Sequence, residues 1–259
     1  MDLALSRISP KRREANNQQA YKRRIIMDDP IRITYLDHSG FIVESARHTL
    51  VFDYYRDPAQ AATLTPGKPL YVFASHAHGD HFNPAIAAWK EQTAAYILNS
   101  DIRSAGGLPT VNHAKVHYLA PYEAITLEDL HITAYGSTDE GGSFLVEVDG
   151  WRIFHAGDLN WWHWKEDTPE NIAQAKTDFF RELQYLNGQK FDVAFFPVDS
   201  RLEEYRDLGI KELVKATHIN HLVTMHDCGQ PWTPPADFAG YQKSLWVPAK
   251  PGEALQVEK

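Results

Sequence analysis

Ile31-Arg32-Ile33-Thr34-Tyr35-Leu36 places apolar side chains at alternate positions, the period of a half-buried strand. Phe41 to Glu44 and Thr49 to Asp53 continue the rhythm, with His38-Ser39-Gly40 as the intervening turn. Pro66-Gly67 and Pro69 then break the chain. Leu70 to Ser75 follows as a nearly unbroken apolar run, the pattern of a strand buried on both faces. From Pro84 to Gln92 the pattern predicts a helix, with Asn83 as N-cap and Pro84 at its first position.

The second half repeats this alternation. Ala124 to Leu127 and His131 to Tyr135 are predicted strands. Ser143–Val148 and Trp151–His155 form a hairpin across the strong turn pair Asp149-Gly150. Residues 169–187 and Lys211–Ala216 are predicted helices, and Phe191–Phe196 and Leu222–Met225 predicted strands. With no Pro/Ser-rich linker between the two runs, one domain of two similar halves is expected over 30–259.

Residues 1–29 form a separate, basic extension. Within 1–26, seven Lys or Arg face two acidic residues, a balance of +5. Against a whole-chain charge of −8, the remainder carries −13. The extension reads as a solvated tail, as a basic docking arm, or as sequence upstream of a natural start at Met27. An acidic body does not favour nucleic acid, which needs clustered Lys and Arg. No apolar run approaches the ~20 residues that span a bilayer, and the N-terminus lacks the pattern of a secretory signal. With one cysteine, Cys228, no intrachain disulfide can form. The expected location is the cytoplasm and the expected partner a small-molecule substrate, with neither nucleic acid nor membrane.

The chemistry is concentrated at strand ends. His76, His78, Asp80 and His81 fall within six residues, directly after the buried strand. Positions two apart share a direction, so His76 and His78 can serve one ion, while Gly79 lets Asp80 and His81 turn toward a second. Imidazole and carboxylate suit zinc, and also Mn or Fe. Two such ions can share and activate a water. Asp158, after Gly157 at the end of another strand, is placed to bridge them. His226 ends a third strand and is a further ligand candidate. His218 and His221 precede that strand and read as ordinary surface or core residues, and Cys228 as a structural thiol.

The run Ser75 to His81 resembles the HxHxDH signature of the metallo-β-lactamase superfamily. The order around it matches, with Asp53 before, Gly157-Asp158 after, and His226 on a last strand. The opening Ile33 to Phe41 is similar to the branch containing the ascorbate-6-phosphate lactonase. The resemblance covers roughly 31–250. It implies a four-layer αββα sandwich of α/β (α+β) class with metals at one edge. It assigns His76 and His78 to a first metal, Asp80, His81 and His226 to a second, and Asp158 to both. It implies a hydrolase that uses a metal-bound hydroxide, with Asp80 and Asp158 as catalytic residues and one or two zinc ions as cofactor. A lactone or a phosphoester is the first expectation for substrate.

One departure stands out. The family's further histidine, between the signature and the bridging aspartate, is missing from Tyr135–Ser143. His131 sits early in its strand, where Ile132 and Ala134 take the interior, and His113 and His117 are more remote. Asp139 is the candidate replacement ligand, with Ser137 holding a water as the alternative. A metal-binding sensor or scaffold, and a di-iron redox protein, are the rival readings. Around the metals, Asp53 is expected to orient a histidine, and His38 to approach from the substrate side. The aromatic segment at Trp161 is expected to wall the pocket, and Arg201 to pair with a substrate anion.

Overall fold

The computed structural model describes residues 29–236, 238 and 244–259. The basic N-terminal extension lies outside them, apart from Asp29. Two seven-stranded sheets face each other. The first runs, edge to edge, Ala254–Val257, Ile31–Asp37, Gly40–Glu44, Thr49–Phe52, Leu70–Ala74, Thr93–Asn99 and Val116–Leu119. The second runs Leu245–Trp246, His218–Met225, Lys190–Pro197, Trp151–His155, Ser143–Val148, Leu130–Tyr135 and Ala124–Leu127.

Alternation along each strand explains the layers. In Leu70–Ala74, Tyr71 and Phe73 enter the core between the sheets, while Leu70, Val72 and Ala74 face outward. The outward face is covered by the 3-10 helix Pro84–Trp89 and the short helix α1 (Ser100–Ser104), through Ile86 and Ile102. Both faces are dry, which is why this strand reads as a continuous apolar run. The second sheet is backed by α2 (Pro169–Leu186) and α3 (Leu208–Ala216), with Phe179, Leu183, Ile210 and Leu213 in the main core. The layers are therefore helix, sheet, sheet, helix, as expected.

Several boundaries differ from the sequence reading. Pro84–Trp89 is a 3-10 helix rather than an α-helix to Gln92. Asn83 does cap it, accepting from the Ala85 N–H, but Ile86 is its one buried residue, so little packing favours a longer helix. The last long strand starts at His218, which places His218 and His221 within it. His218 is exposed, and His221 meets the Glu258 carbonyl at the sheet edge.

Topology places the site. Thr49–Phe52 and Leu70–Ala74 pair in parallel, and so do Trp151–His155, Lys190–Pro197 and His218–Met225. Parallel neighbours end on the same side, so five strand ends deliver Asp53, Ser75–His81, Asp158, Asp199 and His226 to one edge.

Candidate metal centre

The signature begins where Leu70–Ala74 leaves the sheet. Asp53, in a left-handed conformation (φ 42°) just past Phe52, accepts from the Ser75 N–H at 2.8 Å and the Ser75 hydroxyl at 2.7 Å. This pins the exit direction of the chain. His81 and Phe82 donate their N–H groups to the His78 carbonyl, closing the turn that brings His81 back over Asp53. His81 Nδ1 then lies 2.8 Å from Asp53 Oδ2. The contact holds the imidazole with Nε2 turned to the opposite sheet.

Asp158 meets it there. Gly157 (φ 53°) sits so close to the first sheet that a Cβ would lie 2.7 Å from both the Ser75 Cβ and the Gly142 carbonyl oxygen. No side chain fits at 157, and this approach carries Asp158 between the two groups of donor side chains. Asp158 Oδ2 is 3.6 Å from His76 Nε2. Its Oδ1 is 3.2 Å from His81 Nε2 and 3.3 Å from His226 Nε2.

Two sets of donor atoms result, each within 4.8 Å of one another: His76, His78, Asp139 and Asp158, and His38, Asp80, His81 and His226. In the first set His76 Nε2 and His78 Nδ1 are 3.0 Å apart, and Asp139 Oδ2 is 3.8 Å from His78 Nδ1. The loop carrying Asp139 is tied down where Gly142 donates its N–H to the Ser75 carbonyl at 3.0 Å. Of the other candidates in this stretch, His131 is exposed and paired with Thr126, and Ser137 accepts from the Asp139 N–H.

The donor sets fit divalent cations. His81 Nε2 and Asp158 Oδ1 are buried without a hydrogen-bond partner. Leaving such atoms unpaired is costly, about 1–3 kcal/mol each, and a shared cation between them removes the cost. Charge is arranged to the same end. Burial disfavours the charged form of His81, but Asp158 and Asp53 outweigh it and push its pKa up to about 10. His226 is raised by Asp158 in the same way, against burial. Asp158, although buried, is held well below the usual carboxylate range by His81 and His226. Burial and the neighbouring His81 lower His76 to about 4, so it is a neutral donor.

Further groups surround the centre. Asp199, fully buried, lies 3.0 Å from His226 Nδ1. It is gripped by Arg201, whose Nε donates to both its oxygens and whose Nη2 donates to Oδ2. Sequence reasoning missed Asp199, although it follows a buried strand just as Asp53 and Asp158 do. Arg201 lies over the Trp164 ring at 5.5 Å and lines a cavity of about 340 Å³ with His78, Asp80, Asp139, Trp162 and Trp164. The pocket wall corrects the sequence expectation. Trp161 turns away to stack on Phe179 and meet Phe180 edge-on, while Trp162 and Trp164 stack on each other at 5.8 Å and face the cavity. The Trp162 Nε1–H donates to the Asp158 carbonyl, fixing that ring beside the centre. Cys228 is exposed and donates to Asp199.

A family model described as a beta-lactamase superfamily domain matches residues 32–226, from the first strand to His226. The chain belongs to the metallo-β-lactamase superfamily. Among its relatives, a protein of Opitutus terrae named a UPF0173 metal-dependent hydrolase is 26% identical over 88% of this chain and 100% of its own length. Another so named, from Desulforamulus reducens, is 30% identical over 76% of this chain and 84% of its own. Among solved structures, Igni18, a metallo hydrolase of Ignicoccus hospitalis, superposes with a TM-score of 0.57 at 18% identity, covering 89% of this chain and 99% of that one. The metallo-β-lactamase fold protein YhfI of Bacillus subtilis superposes at 0.55 with 14% identity, over 88% and 100% of the two chains. These two similarities establish the fold of the superfamily.

Proposed function

We propose that this protein is a hydrolase that holds two divalent cations, zinc by preference, and acts on a small soluble lactone or phosphoester. The observation that carries the reading is Asp158, which offers one carboxylate oxygen to each of two histidine-rich donor sets. His76, His78 and Asp139 would hold one ion, Asp80, His81 and His226 the other, with Asp158 shared. Such a pair supplies Lewis acidity and activates a water at neutral pH. The names of the relatives support a metal-dependent hydrolase.

The chain's own residues do the rest. The stacked Trp162 and Trp164 give the substrate a flat apolar wall next to the centre. Arg201 keeps its Nη1 face for a substrate anion while its other nitrogens hold Asp199. Asp80 opens onto the cavity beside the centre, so it is the group placed to orient the attacking water.

The test is a hydrolysis screen across lactones and phosphoesters with wild type and Asp158→Ala. At least one substrate class should turn over, and both chelation and Asp158→Ala should reduce it to background. Equal rates in wild type and Asp158→Ala would contradict the mechanism. A second reading, a di-iron redox protein, draws on Asp139 in place of imidazole, since oxygen donors suit iron and manganese as well as zinc. Iron as the native metal, with no hydrolysis across the screen, would favour it.

A further inference from the structure

We infer that His38 is itself a ligand of the second cation, so that this pocket closes with three imidazoles. The inference rests on the proposed cation pair and adds a residue to it.

His38 occupies the turn between Ile31–Asp37 and Gly40–Glu44 with φ 56°. A left-handed conformation costs a side-chain-bearing residue roughly 1–2 kcal/mol, and a surface turn would ordinarily use glycine or asparagine there. Here the backbone is held at both ends. The His38 N–H donates to the Tyr35 hydroxyl at 2.9 Å, and its carbonyl accepts from the His226 N–H at 3.0 Å. The second contact fastens the turn directly to a residue of the centre. The ring is fixed as well, with Tyr55 and His81 edge-on at 6.2 and 5.5 Å and the His226 ring at 3.9 Å.

That orientation leaves His38 Nε2 buried without a hydrogen-bond partner. Its neighbour Asp80 Oδ2 is 3.3 Å away but off the line of a ring N–H bond. His81 Nε2 and Asp158 Oδ1, both assigned to the second cation, are in the same state. The donor atoms of His38, Asp80, His81 and His226 lie within 4.8 Å of one another, the span of ligands around a single ion. A lone cation therefore satisfies His38 together with the others, where a hydrogen bond to Asp80 does not.

The consequence is an asymmetric centre. The first set has two imidazoles and two carboxylates. The second has three imidazoles and Asp80, with Asp158 shared. The imidazole missing from the first position is balanced by an extra one at the second, and the nitrogen-rich pocket fills first.

Cobalt(II) titrated into metal-stripped full-length protein tests this, read by d–d absorption and by X-ray absorption counting of imidazole scatterers. Wild type is compared with His38→Ala and His38→Asn, the latter tolerant of a left-handed φ. Thermal melting of the stripped proteins confirms that the variants fold. The five histidines of the two sets predict five imidazoles per cobalt pair in wild type and four in each variant. The first cobalt should bind more weakly in the variants by over the roughly 10–100-fold that loss of an outer partner costs. An unchanged imidazole count and d–d spectrum would overturn the inference, leaving His38 to act through Asp80. A wild-type protein that takes up no cobalt would overturn the cation pair itself.

Discussion

Asp53 and Asp199 stand behind the two histidines that face Asp158 across the second pocket. Each is fully or almost fully buried, each follows a strand, and each lies 2.8–3.0 Å from the outward nitrogen of its histidine. Asp53 hydrogen-bonds its histidine and so orients the ring, while Asp199 faces His226 Nδ1 off the line of a ring N–H bond and acts on it by its charge; both raise the basicity of a ligand. Removing Asp199 should therefore weaken the second cation by roughly 10–100-fold without unfolding the chain. Competition against a chelator measures this in Asp199→Ala, and unchanged affinity would exclude the role. At this scale the sequence disclosed whatever sits in a motif. His76 and His78 lie in one set of donor atoms and Asp80 and His81 in the other, and Asp139 Oδ2 stands 3.8 Å from His78 Nδ1. Asp199 stayed hidden because it stands in no motif; in the structure it also caps the following 3-10 helix, accepting from the Arg201 N–H. The aromatic run from Trp161 to Trp164 has no period, so the sequence does not say which of its rings faces the pocket. The direction of each ring is set by the loop after Gly157, which only the packed sheets define.

Among elements, the site and the clamp that supports it occupy opposite strand ends. The Asp149-Gly150 turn was legible as a hairpin, and both residues have positive φ, 49° and 82°. Its second task was not. Asp149 accepts from the Ser45 hydroxyl, from the Arg47 N–H and Nε–H, and lies 2.9 Å from His48 Nδ1, joining the turn of one sheet to the turn of the other. Such a contact, 101 to 104 residues apart for Ser45, Arg47 and His48, leaves no local signal in the sequence. Asp149→Ala should cost about 1–3 kcal/mol, since it leaves the buried His48 Nδ1 and Ser45 hydroxyl without this partner while His48 Nε2 and Arg47 keep Asp129. Urea denaturation measures it, and a loss within experimental error would contradict the clamp. Burial raises the Asp149 pKa, but His48 and Ser45 overcome this and hold it below 3.8. A carboxyl lowered on folding adds stability above its unfolded pKa and loses it as pH falls through the folded value. Acid unfolding should therefore begin below about pH 4 in wild type, and Asp149→Asn should lose that part of the pH dependence. Missed elements have similar causes. Thr93–Asn99 has alanine at its second and third positions, which has little strand preference, and Leu245–Trp246 is too short to show a period.

For the molecule as a whole, the fold works by bringing unlike chain segments to one edge. The succession of strands and their strand-end residues followed from alternating runs, because both obey local rules, and the sandwich from the family resemblance those residues carry; the parallel pairings were not legible. What required three dimensions was the meeting of the sheets. Gly157 against Ser75 sets how deeply Asp158 enters, and Gly142 against Ser75 sets where Asp139 stands. The central claim is that this edge binds two ions, with Asp139 serving where the family's histidine is absent. Elemental analysis of metal per chain in wild type, His78→Ala and Asp139→Ala tests it most directly. The account predicts about two ions in wild type and about one in each variant. One ion per chain in all three proteins would mean a mononuclear centre without Asp139, and no bound metal in wild type would contradict the account altogether.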